Sequence, residues 1–126
     1  MRALGVLLAI GLGLSGWGAP AWSAGSGPMA LADYVALKTD ALTSDKIPWQ
    51  QAMQAARTRL LGDAEAGSQH NANLPTQWFN REHDVYVFVY RRLDDRTIVK
   101  GAPTRGYVVV LNATTGAVVA AGAYRR

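Results

Sequence analysis

The sequence predicts an α+β domain, with one or two N-terminal helices packed on a three- to four-stranded antiparallel sheet that ends in a C-terminal β-hairpin. Three observations lead to this prediction. Residues 49–61 have the apolar spacing of an amphipathic helix, residues 84–92 alternate with a period of two, and residues 107–124 hold two extended runs around a Thr-Gly turn. The 126 residues, 49% of them hydrophobic and 17% charged, leave room for one small domain.

Residues 1–24 have the layout of a secretory signal peptide. Arg2 precedes an uncharged apolar stretch, small residues and a proline follow, and we expect cleavage near Ala21 to Ala24. The alternative is an uncleaved membrane anchor, for which the stretch is Gly-rich and short against the roughly 20 residues of a spanning helix. We therefore expect a periplasmic or secreted protein that meets the membrane only transiently, through its signal peptide. Residues 25–28 then form a flexible joint, and a single domain covers residues 29–126.

Composition excludes several classes of protein. The sequence has no cysteine, which excludes disulfides and a lipid anchor at the cleavage point. Without Arg2 the 13 Lys and Arg residues become 12, against 9 Asp and Glu, so the mature domain is only mildly basic. Export and the lack of a dense basic stripe argue against a nucleic-acid partner.

The first predicted helix covers residues 29–42. Pro28 suits the first turn of a helix, where its missing N–H costs nothing, and apolar residues recur at three- and four-residue steps from Leu31 to Leu42. Cap-forming residues and a second proline then interrupt the chain at residues 43–48.

The second predicted helix, residues 49–61, is the clearest in the sequence. Gly62 is available as its stop. Its apolar stripe needs a flat surface to lie on, which the predicted sheet supplies. The residues of the stripe are Trp49, Ala52, Met53, Ala56 and Leu60.

Residues 63–77 are expected to form a long loop between the second helix and the sheet. The segment is polar, shows no periodicity, and exceeds the length of most connections inside compact domains. Such loops are usually either mobile or functional, and both interpretations stand at this stage.

Residues 84–92 predict a strand that is bulky on both faces. Its valines point one way, and the aromatic residues Tyr86, Phe88 and Tyr90 point the other. Either both faces are covered, or one of them presents an aromatic row to solvent or to a partner.

The rest of the chain predicts a sheet that ends in a hairpin. Gly116 supplies the positive φ that a bulged hairpin loop needs. In order, the predicted elements are a turn at Asp94 and Asp95, a short strand over residues 97–100, a break at 101–103, and strands over 107–112 and 117–124.

No motif in the sequence indicates catalysis, a metal or a cofactor. His70 and His83 are the only histidines, and their spacing is no recognisable metal signature. The sequence has neither a cysteine nor the Gly-x-Ser-x-Gly pattern of a nucleophile, and its carboxylates fit solvated positions. We therefore expect a protein that is not an enzyme and has no cofactor.

Basic residues gather around the predicted turn that follows the aromatic strand. They could meet an acidic partner or a phosphate-rich surface, or they could form a solvated edge that discourages strand-to-strand aggregation. The residues are Arg91, Arg92, Arg96, Lys100 and Arg105.

Residues 49–124 resemble a PepSY-type domain, a small exported α+β module. The resemblance is carried by "AMQAA", "VYVFVYRR" and "GYVVVLNATTGAVVAAG", with Thr115, Gly116 and Val118 in the family's hairpin pattern and Asn112 where the family usually has aspartate. The chain departs from the family in the long polar segment over residues 63–77 and in the additional first helix. The resemblance implies inhibitory or chaperone-like binding in the cell envelope, often towards peptidases, and no catalytic residues.

The same hairpin is similar to that of small bacterial immunity proteins with a nuclear-transport-factor-like or cystatin-like fold. Those proteins block the active site of a toxin. Both resemblances imply a helix packed on a sheet and an exported binding role.

The leading hypothesis is an exported binding domain that inhibits or modulates another cell-envelope protein. Aromatic and arginine side chains favour interface hot spots, and they are concentrated on one strand, which makes the candidate partner-binding residues Tyr86, Phe88, Tyr90, Arg91 and Arg92. The second hypothesis is a small-ligand or weakly hydrolytic pocket under the long loop, with His70, His83 and Asp84 as its polar members. The third is a purely structural role in an envelope assembly.

Overall fold

The computed structural model describes residues 29–96 and 101–126, and in this part of the chain it confirms the α+β prediction. The helices are α1 (Leu31–Val35), α2 (Trp49–Leu61) and α3 (Ala64–Gln69), and the strands are β1 (Thr76–Asn80), β2 (Val85–Arg91), β3 (Arg105–Asn112) and β4 (Val118–Arg125). The predicted signal peptide, the predicted flexible joint over residues 25–28 and the predicted short strand over residues 97–100 lie outside the described residues.

The four strands form one antiparallel sheet in the order β1-β2-β3-β4. The predicted hairpin is confirmed: Asn112 Oδ1 accepts hydrogen bonds from the amides of Thr114 and Thr115, at 2.9 and 2.8 Å, and Gly116 has a φ of 79°. A bulge between Val110 and Leu111 shifts the pairing of β3 with β4 by one residue.

Helix α2 covers one face of the sheet. Ala52, Ala56 and Leu60 of this helix are fully buried in a core that also contains the aromatic residues of β2. Alanine has only a methyl group, so two alanines one turn apart let the helix lie close to these large rings. Trp49 extends the contact, with its ring centroid 4.5 Å from that of Tyr86.

The opposite face of the sheet carries the valines and is covered by α1. Tyr34 and Val35 of this short helix are buried together with the valines of β2 and β3. Leu31 lies so close to β4 that a Cβ added to Gly122 would come within 2.9 Å of its Cδ1 atom. Because both faces are covered, β2 and the inner part of β3 are almost continuously apolar.

The predicted first helix over residues 29–42 is wrong beyond Val35. The chain leaves the helix and bonds to the edge strand β1: the Asp40 amide donates to the Phe79 carbonyl at 2.8 Å, and Asn80 Nδ2 donates to the Lys38 carbonyl at 3.0 Å. These bonds satisfy backbone groups that a longer helix would have paired within itself.

The predicted loop over residues 63–77 is also wrong, because it contains α3 and the first residues of β1. Asp63 starts the helix: its Oδ1 accepts a hydrogen bond from the Ala66 amide at 3.1 Å. Thr76 pairs with Val89 of β2. None of the helices in residues 29–96 and 101–126 has the length and apolar character needed to cross a membrane.

Candidate functional site

The aromatic residues of β2 are core residues. Tyr86, Phe88 and Tyr90 are all 0% exposed and lie beneath α2. A partner on the surface of the folded domain cannot touch them, which corrects the expectation that they form a partner-binding face. Of the two alternatives for this strand, the structure adopts the one in which both faces are covered.

The polar residues of the pocket hypothesis lie at opposite ends of β2. His70 forms an isolated β-bridge with Arg92, just after this strand, whereas His83 and Asp84 lie just before it. Eight residues of extended chain separate Asp84 from Arg92, which is roughly 26 Å at about 3.3 Å per residue. The expectation that His70, His83 and Asp84 line one pocket is therefore wrong.

The pairing of β2, β3 and β4 builds a row of three arginines across one end of the sheet. Arg105 pairs with Arg125, and Arg91 pairs with Gly106, so continuing that register by one residue places Arg92 opposite Arg105. Side chains alternate along a strand, so all three lie on the face that α2 covers further along. We call Arg92, Arg105 and Arg125 the arginine row.

Arg92 is the one member of the arginine row with an ion pair among the described residues. Its Nε and Nη2 atoms donate to the two carboxylate oxygens of Asp94, at 2.9 and 3.1 Å. These hydrogen bonds, with the charges of Arg92 and Arg105, hold the pKa of Asp94 below its ordinary value. The same bonds raise the pKa of Arg92.

Arg91 belongs to the other side of the strand. Its Nη1 atom lies 3.1 Å from Asp95 Oδ2 in an ion pair, and its cross-strand partner is Gly106. The two neighbouring arginines expected to act together therefore point to opposite faces of the sheet. Of the other basic residues around this turn, Arg96 is exposed and Lys100 lies outside the described residues.

A groove runs alongside the arginine row. A cavity of about 320 Å³ is lined by the row, by His70 and by the ends of β3 and β4. A neighbouring cavity of about 350 Å³ shares His70 and Arg92 and continues past Arg59 towards α3. The groove is therefore bordered by four arginines, with acidic side chains at its far end, where Asp63 and Glu65 lie.

His70 is held in one orientation at the side of the groove. It is 5% exposed, its ring centroid lies 5.7 Å from that of Tyr107, and its Nδ1 is 2.9 Å from the Ala66 carbonyl oxygen. Because a carbonyl only accepts hydrogen bonds, Nδ1 carries the proton in this contact. In the neutral ring Nε2 is then an acceptor.

A second polar cluster lies at the opposite end of the sheet, next to the β3–β4 turn. Lys46 Nζ is 2.8 Å from Asp84 Oδ1, and the Thr114 hydroxyl donates to Asp84 Oδ2 at 2.7 Å. Partial burial opposes the ionisation of Asp84, but the hydrogen bonds from Lys46 and Thr114 outweigh it and lower the pKa of this carboxyl. The bond to Asp84 raises the pKa of Lys46, so this lysine stays charged and cannot act as a base for Thr114.

The groove has the chemistry to bind anions. Within the described part of the chain, no group of three or more His, Cys, Asp or Glu side chains is placed to hold a metal ion. His70 has no serine or threonine hydroxyl beside it in the described lining of the groove, and its ring neighbour there is Tyr107. What the groove does offer is several guanidinium groups, which match carboxylates or phosphates in geometry and charge.

Sequence reasoning grouped Arg92 with Arg105 but missed Arg125 and Arg59. Alternation along the strand puts Arg125 on the same face as Ala123, but it does not say which residue of β3 lies opposite Arg125. Arg59 is on the exposed side of α2, where nothing in the helical pattern marks it as part of a site.

No family model matches the chain, and no curated protein and no solved structure matches it. The resemblances to PepSY-type domains and to immunity proteins therefore stay predictions from the sequence.

Proposed function

We propose that this chain is an exported, non-enzymatic binding domain whose arginine row receives an acidic segment of another cell-envelope protein. The observation that carries the proposal is the placement of Arg92, Arg105 and Arg125 side by side across three strands. Like charges directly opposite each other destabilise a sheet. The arginine row therefore lowers the stability of the domain unless anions offset its charge. Within the described residues, Asp94 forms an ion pair with Arg92 and acts on Arg105 only at longer range, and Arg125 has no ion pair.

The groove fits an extended segment. It lies beside β4, which is an edge strand of the described sheet, so a chain can approach there without displacing any described element. The residues of β4 that share the face of the groove have small side chains, namely Ala121 and Ala123. Guanidinium groups along such a groove favour carboxylates at regular spacing, as in a run of glutamate or aspartate.

The expected location and partner class come from the sequence. The signal-peptide layout supports export, and the PepSY-type resemblance supports a role as an inhibitor or modulator of an envelope protein such as a peptidase. In the alternative implied by the immunity-protein resemblance, the acidic segment belongs to a toxin. Both partners would use the same charge complementarity.

The direct test measures binding of a ten-residue glutamate-rich peptide and of a lysine-rich peptide of equal length by fluorescence anisotropy. We expect only the acidic peptide to bind, with an affinity that falls as salt is added. The double variant Arg105→Gln/Arg125→Gln should weaken binding by about tenfold, at roughly 0.7 kcal/mol for each exposed charge pair.

Arg81→Gln is the matched control. Arg81 is an exposed arginine in the turn between β1 and β2, at the opposite end of the sheet. The Arg81→Gln variant should therefore bind the acidic peptide like wild type. Cross-linked capture from envelope extract, with the same three proteins as bait, then identifies the natural partner. Equal peptide binding by wild type, the double variant and Arg81→Gln would contradict the proposal.

A further inference from the structure

The two edges of the sheet differ in what lies along them. At β1 the chain after α1 bonds along the edge: the Asp40 amide donates to the Phe79 carbonyl, and Asp40 Oδ2 accepts a hydrogen bond from the Arg81 amide at 2.7 Å. The other edge strand is β4. Among residues 29–96 and 101–126, no backbone hydrogen bond reaches β4 from outside the sheet. Within this part of the chain, β4 is therefore the edge that is open to a further strand.

The register of β3 and β4 shows which backbone groups point to the open edge. The Arg126 amide donates to the Thr104 carbonyl at 2.7 Å, and these two residues lie opposite each other when the register is continued by one residue. Hydrogen-bonded and non-hydrogen-bonded pairs alternate along an antiparallel ladder, so every second residue of β4 directs its N–H and C=O groups away from β3. The residues whose backbone groups point to the open edge are Ala121, Ala123 and Arg125.

The same three residues carry their side chains on the face of the groove. Arg125 pairs with Arg105 of the arginine row, and alternation along the strand puts Ala121 and Ala123 on the face of Arg125. Both alanines line the groove, where Ala123 is exposed and Ala121 is half-buried. A strand added to β4 would therefore place every second side chain over the groove, beginning next to Arg125.

The edge strand β4 lacks most features that prevent pairing with another strand. Natural proteins protect edges by short strands, charged side chains, proline or bulges. β4 is eight residues long, has neither a charged residue nor a proline from Val118 to Tyr124, and is bulged only near its start. Its one charge is Arg125, in the arginine row. Because opposite charges on paired residues stabilise a sheet and like charges destabilise it, the edge favours a strand that carries carboxylates.

We propose that the acidic segment binds as a fifth strand, antiparallel to β4, with a carboxylate directly opposite Arg125. This inference rests on the proposed function and adds how the partner is recognised. Backbone hydrogen bonds to Ala121, Ala123 and Arg125 hold the segment, and the arginine row selects its charge. Antiparallel pairs are slightly more stable than parallel pairs, which favours this direction. Since only every second side chain faces the groove, an alternating acidic pattern is sufficient for recognition.

The first experiment measures amide hydrogen exchange of the full chain by NMR, with and without a saturating ten-residue peptide that alternates Glu and Thr. The amides of Ala121, Ala123 and Arg125 should exchange fast in the free protein and at least about tenfold more slowly in the complex, because the added strand protects them. The amides of Gly122 and Tyr124 are internal controls. They bond to β3 and should already exchange slowly in the free protein.

The second experiment compares two N-methylated forms of this peptide by fluorescence anisotropy on the wild-type protein. An N-methyl group removes the amide donor of the peptide backbone. In the proposed strand the Glu residues face the groove and exchange hydrogen bonds with β4, so methylating three central Glu nitrogens should weaken binding by about hundredfold, at about fivefold for each lost bond. Methylating three central Thr nitrogens should leave the affinity unchanged, because those amides point to solvent.

Three outcomes would overturn the fifth strand while the unmethylated peptide still binds, and they leave the proposed function standing. One is weakening by Thr methylation that equals or exceeds the weakening by Glu methylation. Another is peptide binding without slower exchange at Ala121, Ala123 and Arg125. The third is slow exchange of these amides in the free protein together with a dimer in size-exclusion chromatography, which would show that a second copy occupies the edge. If the unmethylated peptide does not bind, the proposed function fails as well.

Discussion

Tyr86 and Tyr90 offer a test in which the same substitution should have opposite effects at two positions. Both side chains are fully buried on the same face of β2. The Tyr86 hydroxyl donates to the Ile47 carbonyl, whereas the Tyr90 hydroxyl has no hydrogen-bond partner. We therefore expect Tyr86→Phe to destabilise the domain and Tyr90→Phe to stabilise it.

The magnitudes follow from what each hydroxyl contributes. Removing the Tyr86 hydroxyl loses one hydrogen bond, which lowers the free energy of unfolding by about 1 kcal/mol. Removing the Tyr90 hydroxyl eliminates a buried polar group that has no hydrogen-bond partner, which raises the free energy of unfolding by about 1 kcal/mol. For a domain of roughly 100 residues, each change shifts Tm by about 4–8 °C, in opposite directions.

Urea unfolding followed by circular dichroism measures both variants against wild type. Equal m-values would show that the substitutions act on the folded state and not on the extent of unfolding. Burial also raises the pKa of the Tyr90 phenol, so its hydroxyl is not expected to ionise in the folded protein below pH 10. If Tyr90→Phe lowers the free energy of unfolding as much as Tyr86→Phe does, the Tyr90 hydroxyl is not an unsatisfied group.

Two further changes test the packing of β3 and the ion pair next to the hairpin turn. Gly106→Ala should lower the free energy of unfolding by about 1–3 kcal/mol in urea titrations, because its Cβ would lie 2.5 Å from the Tyr90 carbonyl oxygen; a neutral result would contradict this packing. Asp84→Asn should destabilise the domain at pH 7 through loss of the contacts to Lys46 and Thr114. Because the folded pKa of Asp84 is lowered, that stabilisation is present above the ordinary carboxyl pKa of about 3.9 and is lost as pH falls through the folded value. The gap between Asp84→Asn and wild type should therefore narrow as the pH is lowered below about 3.9, and a gap that stays constant over that range would show a different cause.

The elements with strong periodicity were predictable from the sequence. The helix over residues 49–61 and the alternating strand β2 are found where their patterns place them. The elements that were missed lack such a pattern: β1 is five residues long, with Trp78 and Phe79 both buried, so no alternation of apolar and polar residues is visible. The first helix ended early because of hydrogen bonds to β1, a contact that no local pattern contains.

The arginine row could not be predicted, since it depends on a single bulge. In β3 and β4, Leu111 pairs with Val118, and without the shift at this point Arg105 would pair with Tyr124. With the bulge, Arg105 pairs with Arg125. A shift of one residue moves every later side chain to the other face, so the composition of the candidate site was decided by backbone geometry.

The contact of Leu31 with Gly122 joins the first described helix of the chain to its last strand, across 91 residues of sequence. A ribosome or a translocation channel delivers the chain in order, so α1 is available long before the strand it must meet. Until β4 has been synthesised, the valine side of β2 and β3 is incompletely covered. An incomplete chain then exposes apolar, strand-forming segments that are prone to aggregation. Closure of this face therefore cannot be completed before β4 is available.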